Sequence, residues 1–275
     1  MTRILFIGDI MGRIGRRAMT AWIRGESAAD RYDLIVANGE NAAGGFGITE
    51  RVSQELFELG IDVISGGNHT FDKREVLGYL NSEPRLLRPA NYPPGVPGHG
   101  VWTGTAGNGA RTAVINLQGR VFMRGMDDPF RAIDAILEKL EGEVDIILVD
   151  FHAEATSEKV AFGWHLDGRV SGVVGTHTHV QTADERILPG GTAYITDVGM
   201  TGPLDSVIGV RKEDALNRFK LGILNRFQVA RGEPCFCAVT IEVDESTGSA
   251  VTIQRHRVPL DPDDFPSQAE NEEKE

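Results

Sequence analysis

The stretch Asp33-Leu-Ile-Val-Ala-Asn-Gly-Glu-Asn41 decides the fold: an apolar run with no polar side ends abruptly in a cluster of polar residues, and the same design recurs along the chain. Strands that are apolar throughout need cover on both faces, which helices provide in α/β proteins. Upstream, Arg3-Ile-Leu-Phe-Ile-Gly-Asp9 reads as another such strand, and Arg13 to Ala28 as the helix between the two. Downstream, Thr49 to Leu59 is a helix opening on the capping sequence Thr49-Glu-Arg-Val, Ile61 to Ser65 a third strand, and Lys73 to Leu80 a helix. A Pro- and Gly-rich loop, Pro89 to Gly109, has room for one short strand. Alternation then resumes, with strands at Thr112 to Leu117, Asp145 to Asp150 and Val170 to Val174 and helices at Pro129 to Leu140 and Ser157 to Gly163.

Beyond Asp184 the balance shifts. Glu185 to Leu188, Thr192 to Thr196, Cys237 to Val243 and Val251 to Val258 read as strands, the last two joined as a hairpin across Asp244 to Gly248; Glu213 to Phe227 reads as a helix. A late strand-rich section suggests a second sheet packed on the first. The fold class is therefore α/β, a sandwich of layers, in a single domain over 1–260. The run 261–275 is acidic, Pro-containing and nearly free of apolar residues, and is expected to be a disordered tail.

At 275 residues the chain can bury a sizeable core, and 41% apolar with 25% charged residues is ordinary for a globular protein. A formal charge of -12 argues against an extended nucleic-acid partner, which needs a basic face, but not against a small phosphorylated substrate beside metal ions. No run approaches the ~20 apolar residues of a membrane span. No secretion signal is visible, so the expected location is cytoplasmic. Cys235 and Cys237, alternating with Phe236 in a strand, read as buried hydrophobes; the apolar strands of the second half leave room for a homo-oligomer.

The polar clusters carry the chemistry. Asp9 closes the first strand; Glu40 and Asn41 close the second, followed by Gly44-Gly-Phe-Gly47; Gly66-Gly-Asn68-His69 closes the third, with Asp72 near enough to orient an imidazole. His152 follows the strand ending at Asp150, and Gly175-Thr-His177-Thr-His179 follows the next. Any one of these is explained by a turn or a cap. Five successive βα-type strands each delivering metal-competent side chains at one end is a stronger pattern, since ligands gather there in α/β sheets. Carboxylate, amide and imidazole without thiolate suit iron, manganese or zinc in a reactive site. His99, His165 and His256 stand apart and read as surface or capping residues.

With these residues in hand, the sequence resembles the calcineurin-like metallophosphoesterases, and within them the YmdB-like branch of 2',3'-cyclic nucleotide phosphodiesterases. The resemblance is carried by Gly8-Asp9, Asn38-Gly-Glu-Asn-Ala-Ala-Gly-Gly-Phe-Gly-Ile-Thr49, Gly67-Asn-His-Thr-Phe-Asp72, Arg88-Pro-Ala-Asn-Tyr-Pro93, Phe151-His-Ala-Glu154, Gly175-Thr-His-Thr-His179 and Thr196-Asp-Val-Gly-Met-Thr-Gly-Pro203. It implies an α-β-β-α sandwich and two transition-metal ions, iron or manganese. Asp9, Glu40, Asn41 and His179 would hold one ion and Glu40, Asn68, His152 and His177 the other, with Glu40 bridging. A hydroxide shared by the ions would attack phosphorus, and His69 would act as general acid. One departure from the broader superfamily is Met11, where its pattern has a histidine; Asn41 is implied to fill that gap. The substrate implied is a small cyclic nucleotide. Two other functions remain open at this stage: a phosphomonoesterase or nucleotidase, and a nucleotide-binding regulatory protein with incidental turnover.

Overall fold

A computed structural model describes residues 1–26, 31–223 and 226–261. The chain runs β1 (Thr2–Ile7), β2 (Asp9–Ile10), α1 (Gly12–Glu26), β3 (Leu34–Asn38), α2 (Glu50–Glu58), β4 (Val63–Ser65), α3 (Val76–Ser82), β5 (Val101–Thr105) and β6 (Arg111–Gln118). It continues through α4 (Pro129–Leu140), β7 (Ile146–His152), α5 (Thr156–Leu166), β8 (Gly172–Thr176), β9 (Arg186–Ile187) and β10 (Ala193–Ile195). Last come β11 (Met200–Pro203), α6 (Lys212–Leu221), β12 (Pro234–Asp244) and β13 (Ser249–Pro259). Among the described residues no helix is long and apolar enough to cross a membrane.

Two sheets face each other. One follows the order β2-β11-β12-β1-β3-β4, with β13 on the other edge of β12; the second follows β5-β6-β7-β8-β10-β9. The period of two along β1 builds the layers directly. Ile4 and Phe6 join Val36, Val114, Leu148, Val174 and Ile241 between the sheets, whereas Leu5 and Ile7 join Met19, Ile23, Val52 and Leu56 beneath α1 and α2. On the far side, Ile115, Val149 and Phe151 pack on Phe162 and Leu166 of α5. The α-β-β-α sandwich is thus what the apolar strands require. Cys235 and Cys237 are buried in β12, as expected.

Three expectations are corrected. The late strands do not make a sheet of their own: β11, β12 and β13 complete the sheet begun by β1, β3 and β4, while β9 and β10 extend the other. Antiparallel pairing of β1 with β12, Ile4 opposite Ile241, fills the edge that a parallel β1-β3 pair leaves open. The strand expected through Asp9 breaks at Gly8, where any Cβ would lie 2.0 Å from the Gly199 carbonyl oxygen, and Asp9 pairs instead with Met200 of β11. The helix expected to reach Phe227 stops at Leu221, because Gly222 adopts the left-handed conformation (φ 67°) and its N–H caps the Arg218 carbonyl. Smaller shifts affect α1, which ends at Glu26 with the expected remainder outside the described residues, α3, which starts at Val76, and α5, which runs on to Leu166. The expected tail lies outside the described residues from 262 onward.

Candidate metal centre

The parallel strands of both sheets end at one rim, and the polar residues that follow them meet there. Asp9, Glu40 and His152 are fully buried, and Glu40 stands at the centre. One of its oxygens, Oε2, accepts the backbone N–H of His69 at 2.8 Å, while Oε1 lies 3.1 Å from His152 Nε2 and 3.3 Å from Asn41 Nδ2. His152 Nε2 also lies 2.9 Å from Asn68 Oδ1 and 3.1 Å from His177 Nδ1. The approach depends on Gly67: a Cβ there would sit 2.4 Å from both Glu40 Oε2 and the His152 ring.

A second group adjoins the first. Asn41 Nδ2 is 3.2 Å from His179 Nε2, which is 3.7 Å from Asp9 Oδ1. Asp9 Oδ2 accepts the backbone N–H of His177 at 3.3 Å, but buried Oδ1 has no hydrogen-bond partner. Met11 does not enter this space: it packs with Met200, Val210 and Ala215 in a small apolar cluster. Its position supplies no ligand, in agreement with the departure noted in the sequence.

Outer contacts fix the imidazoles. Thr176 gives its hydroxyl proton to Asp150 Oδ1 at 2.7 Å and accepts from His152 Nδ1 at 2.9 Å, so Nε2 faces the cluster. His179 Nδ1 donates to the Ile208 carbonyl at 2.8 Å, turning Nε2 inward. His177 Nε2 meets Glu154 at 3.1 Å, leaving Nδ1 for the centre. His177 (φ 98°) and His179 (φ 65°) both occupy left-handed backbone, a conformation costing about 1–3 kcal/mol each that persists only when its surroundings enforce it. A buried ion pair, Lys159 Nζ to Asp197 Oδ2 at 2.6 Å, holds the residues on either side of His177. Lys159 also donates to the Thr176 carbonyl, and Asp197 accepts from the Thr178 backbone and hydroxyl.

The electrostatics point the same way. Burial raises the Asp9 carboxyl, only partly offset by His179 and His152. Burial also opposes charge on Glu40, yet the imidazoles of His152 and His69 outweigh it and bring that carboxyl to about 2. In His152 the same burial is overcome by the carboxylates of Glu40 and Asp9, which hold the imidazole up at about 9. Burial and the neighbouring His152 push His177 down to about 3, so its ring is neutral. Burial brings Asp150 to about 6. Two carboxylates, one of them with an unpartnered oxygen, thus gather around a position that favours positive charge, with imidazole nitrogens turned toward it. Glu40, His152 and His177 offer donor atoms all within 4.8 Å of one another. This donor set fits a metal ion of the transition series.

Every residue singled out in the sequence comes to this rim. His69 lies at its mouth, its ring edge-on to Phe46 (centroids 5.2 Å apart) and its Nδ1 2.7 Å from Asp72 Oδ2. His99 and His165 are at the surface or half-buried outside the site; His256 is half-buried against Thr240 rather than a cap. Sequence reasoning passed over Asp150, Glu154, Thr176, Lys159 and Asp197. A signal existed for Asp150, which shares a strand face with His152 at a spacing of two; the Lys159–Asp197 pair joins residues far apart in the chain and left none.

A sequence model of the YmdB-like protein family matches residues 5–256. A 2',3'-cyclic-nucleotide 2'-phosphodiesterase of Bacillus subtilis (strain 168) is 49% identical over 253 residues, covering 92% of this chain and 96% of that protein. A crystal structure of a hypothetical protein from Thermus thermophilus superposes with a TM-score of 0.88 at 46% identity, over 94% of this chain and 99% of that one. A phosphatase from Mycoplasma pneumoniae matches with a TM-score of 0.88 at 33% identity, over 96% of this chain and 95% of that one.

Proposed function

This chain belongs to the YmdB-like protein family, and from that membership we propose that it is a metal-dependent phosphodiesterase acting on small nucleotides, with 2',3'-cyclic nucleotides as the substrate class. The observation that carries the reading is the convergence of Glu40, Asn68, His152 and His177 with Asp9, Asn41 and His179, four of the seven buried, directly beside the His69–Asp72 pair. The first four would hold one ion and Asp9, Glu40, Asn41 and His179 the other, Glu40 being shared. Iron and manganese are the metals the family resemblance implies, and the oxygen and imidazole donors accommodate either.

Metals bound in such a pair supply Lewis acidity toward phosphoryl oxygens and make water nucleophilic near neutral pH. The chain's own part is positioning and proton transfer. Thr176, Ile208 and Glu154 orient the three imidazoles. Asp72 holds the Nδ1 proton of His69, leaving the opposite nitrogen, Nε2, to deliver a proton to the departing ribose oxygen. A ribose alkoxide leaves poorly at neutral pH, so this proton is worth about 10²–10⁴-fold. The charge of -12 favours a small substrate over a nucleic-acid polymer, and two free buried thiols suit a reducing compartment, the cytoplasm.

The test pairs metal analysis of protein purified without added metal with hydrolysis of 2',3'-cyclic AMP by the same sample. We expect about two ions per chain and turnover; less than one ion together with no hydrolysis overturns the proposal. A panel containing nucleoside monophosphates separates it from a phosphomonoesterase. His69→Ala should retain its metals and lose most activity on the cyclic nucleotide but much less on an aryl diester, whose leaving group needs no proton. Equal losses on both would remove His69 as the acid.

A further inference from the structure

We propose that Phe122 is the stacking platform for the nucleobase of the substrate, a subsite that rests on the reading of this centre as a nucleotide phosphodiesterase. Phe122 stands on the loop that follows β6, and that loop starts against the candidate metal centre. Gln118, the last residue of β6, is the direct neighbour of His152 in the parallel pair, and the Gly119 N–H donates to the His152 carbonyl at 3.0 Å. Phe122 comes three residues later. Half-buried Tyr92 ties the loop to the mouth of the site: burial raises its phenol, and the charges of Glu40, Arg124 and Asp72 all act on it. Arg124, two residues past Phe122, is exposed and has no carboxylate partner among the described residues.

The loop is pinned at its base and along its first arm. Asn91 donates from Nδ2 to the carbonyls of Gln118 at 2.8 Å and Asp127 at 2.9 Å, and its Oδ1 accepts the Gln118 N–H at 2.9 Å. The buried carboxylate of Glu158 accepts the backbone N–H groups of Arg120 at 2.9 Å and Val121 at 3.1 Å. Held in this way, Phe122 adopts left-handed backbone (φ 62°) with its side chain 89% exposed. Such backbone is unfavourable for a bulky residue, and an exposed ring gains no burial in return, so the fold itself gives no reason for phenylalanine here. Glycine would serve the turn better. What the arrangement does provide is a ring fixed in advance, which loses little freedom when a ligand settles on it. One flat ring matches a base and falls far short of the area of a protein interface. Stacking also tolerates any base, because every base has a π face.

The test compares 2',3'-cyclic AMP with methyl ribofuranoside 2',3'-cyclic phosphate, which keeps the sugar and the diester but has no base, on the metal-loaded full chain. The readout is the ratio of their kcat/KM values. Phe122→Ala should lower that ratio about tenfold or more, through KM, whereas Phe122→Trp, with a broader ring, should keep or raise it. Phe122→Gly should lose the ratio as far as Phe122→Ala does and yet melt no lower than the wild type, since glycine takes left-handed backbone without strain. An unchanged ratio in Phe122→Ala, with both substrates still turned over, overturns the subsite and leaves the phosphodiesterase reading standing. No turnover of either substrate by the wild type removes both. A Phe122→Gly variant that melts well below the wild type would also overturn the subsite, by showing that the ring supports the fold.

Discussion

The two halves of the candidate metal centre are built in opposite ways. The sheet containing β1, β3 and β4 supplies the oxygen donors, Asp9, Glu40, Asn41 and Asn68, from turns whose tight places are relieved by glycine, as at Gly8 and Gly67. The sheet containing β7 and β8 supplies the imidazoles. There two non-glycine residues, His177 and His179, take left-handed backbone, held by a buried Lys159–Asp197 pair. One half places its proposed ligands by removing side chains, the other by clamping strained backbone. Glu40 is the most central of the points at which they touch, beside Asn68–His152, Asn41–His179 and Asp9–His177, so the centre is a joint between sheets as well as a proposed reaction site.

The largest effect should follow from breaking that joint. Glu40→Gln keeps the volume but removes the shared charge, and activity on 2',3'-cyclic AMP should fall by about 10³-fold or more, with loss of metal by elemental analysis. A variant that keeps both ions and turnover would show that the halves do not depend on Glu40. Next is the clamp. Asp197→Asn leaves Lys159 charged and buried without its partner, and chemical denaturation should report a loss of about 3–5 kcal/mol. Replacing both with apolar residues, Lys159→Met with Asp197→Leu, should recover much of that stability while leaving the His177–His179 turn unheld and metal affinity poor. Recovery of full metal affinity in the double variant would mean that the pair serves stability alone.

Smaller effects probe orientation. Thr176→Val removes the oxygen that receives the His152 Nδ1 proton, and metal affinity should drop about 10–100-fold with the fold intact. Glu154→Gln, at a half-exposed contact to His177, should cost less than that by competition titration. If the Glu154 variant proves the worse of the two, the imidazole half is set from its exposed side and the asymmetry drawn above is wrong.

Much of this was legible in the chain. The apolar runs ending in Asp9, Glu40-Asn41, Asn68-His69 and His152 mark both the parallel strands and the rim, because burial on two faces and function at strand ends are local properties of sequence. What could not be read is non-local. Met200–Pro203 contains Gly and Pro and carries no strand signal, yet pairing with Asp9 and Cys235 makes it β11. That β12 belongs beside β1 and not in a new sheet is decided by which open edge is available after the rest has folded. Asp197 reads as an ordinary loop acid until Lys159 is brought to it.

The place of β1 carries a consequence for how the protein is made. It lies between β3 and β12, with Ile4 flanked by Leu34 on one side and Ile241 on the other. During synthesis every proposed metal ligand, from Asp9 to His179, emerges before β12 does. Until Pro234–Asp244 leaves the ribosome, a nascent chain carrying all its ligands still presents one edge of an apolar strand without its neighbour, a template for pairing with other chains. The most vulnerable moment of this protein's life therefore falls late, and any truncation before Pro234 would make that moment permanent.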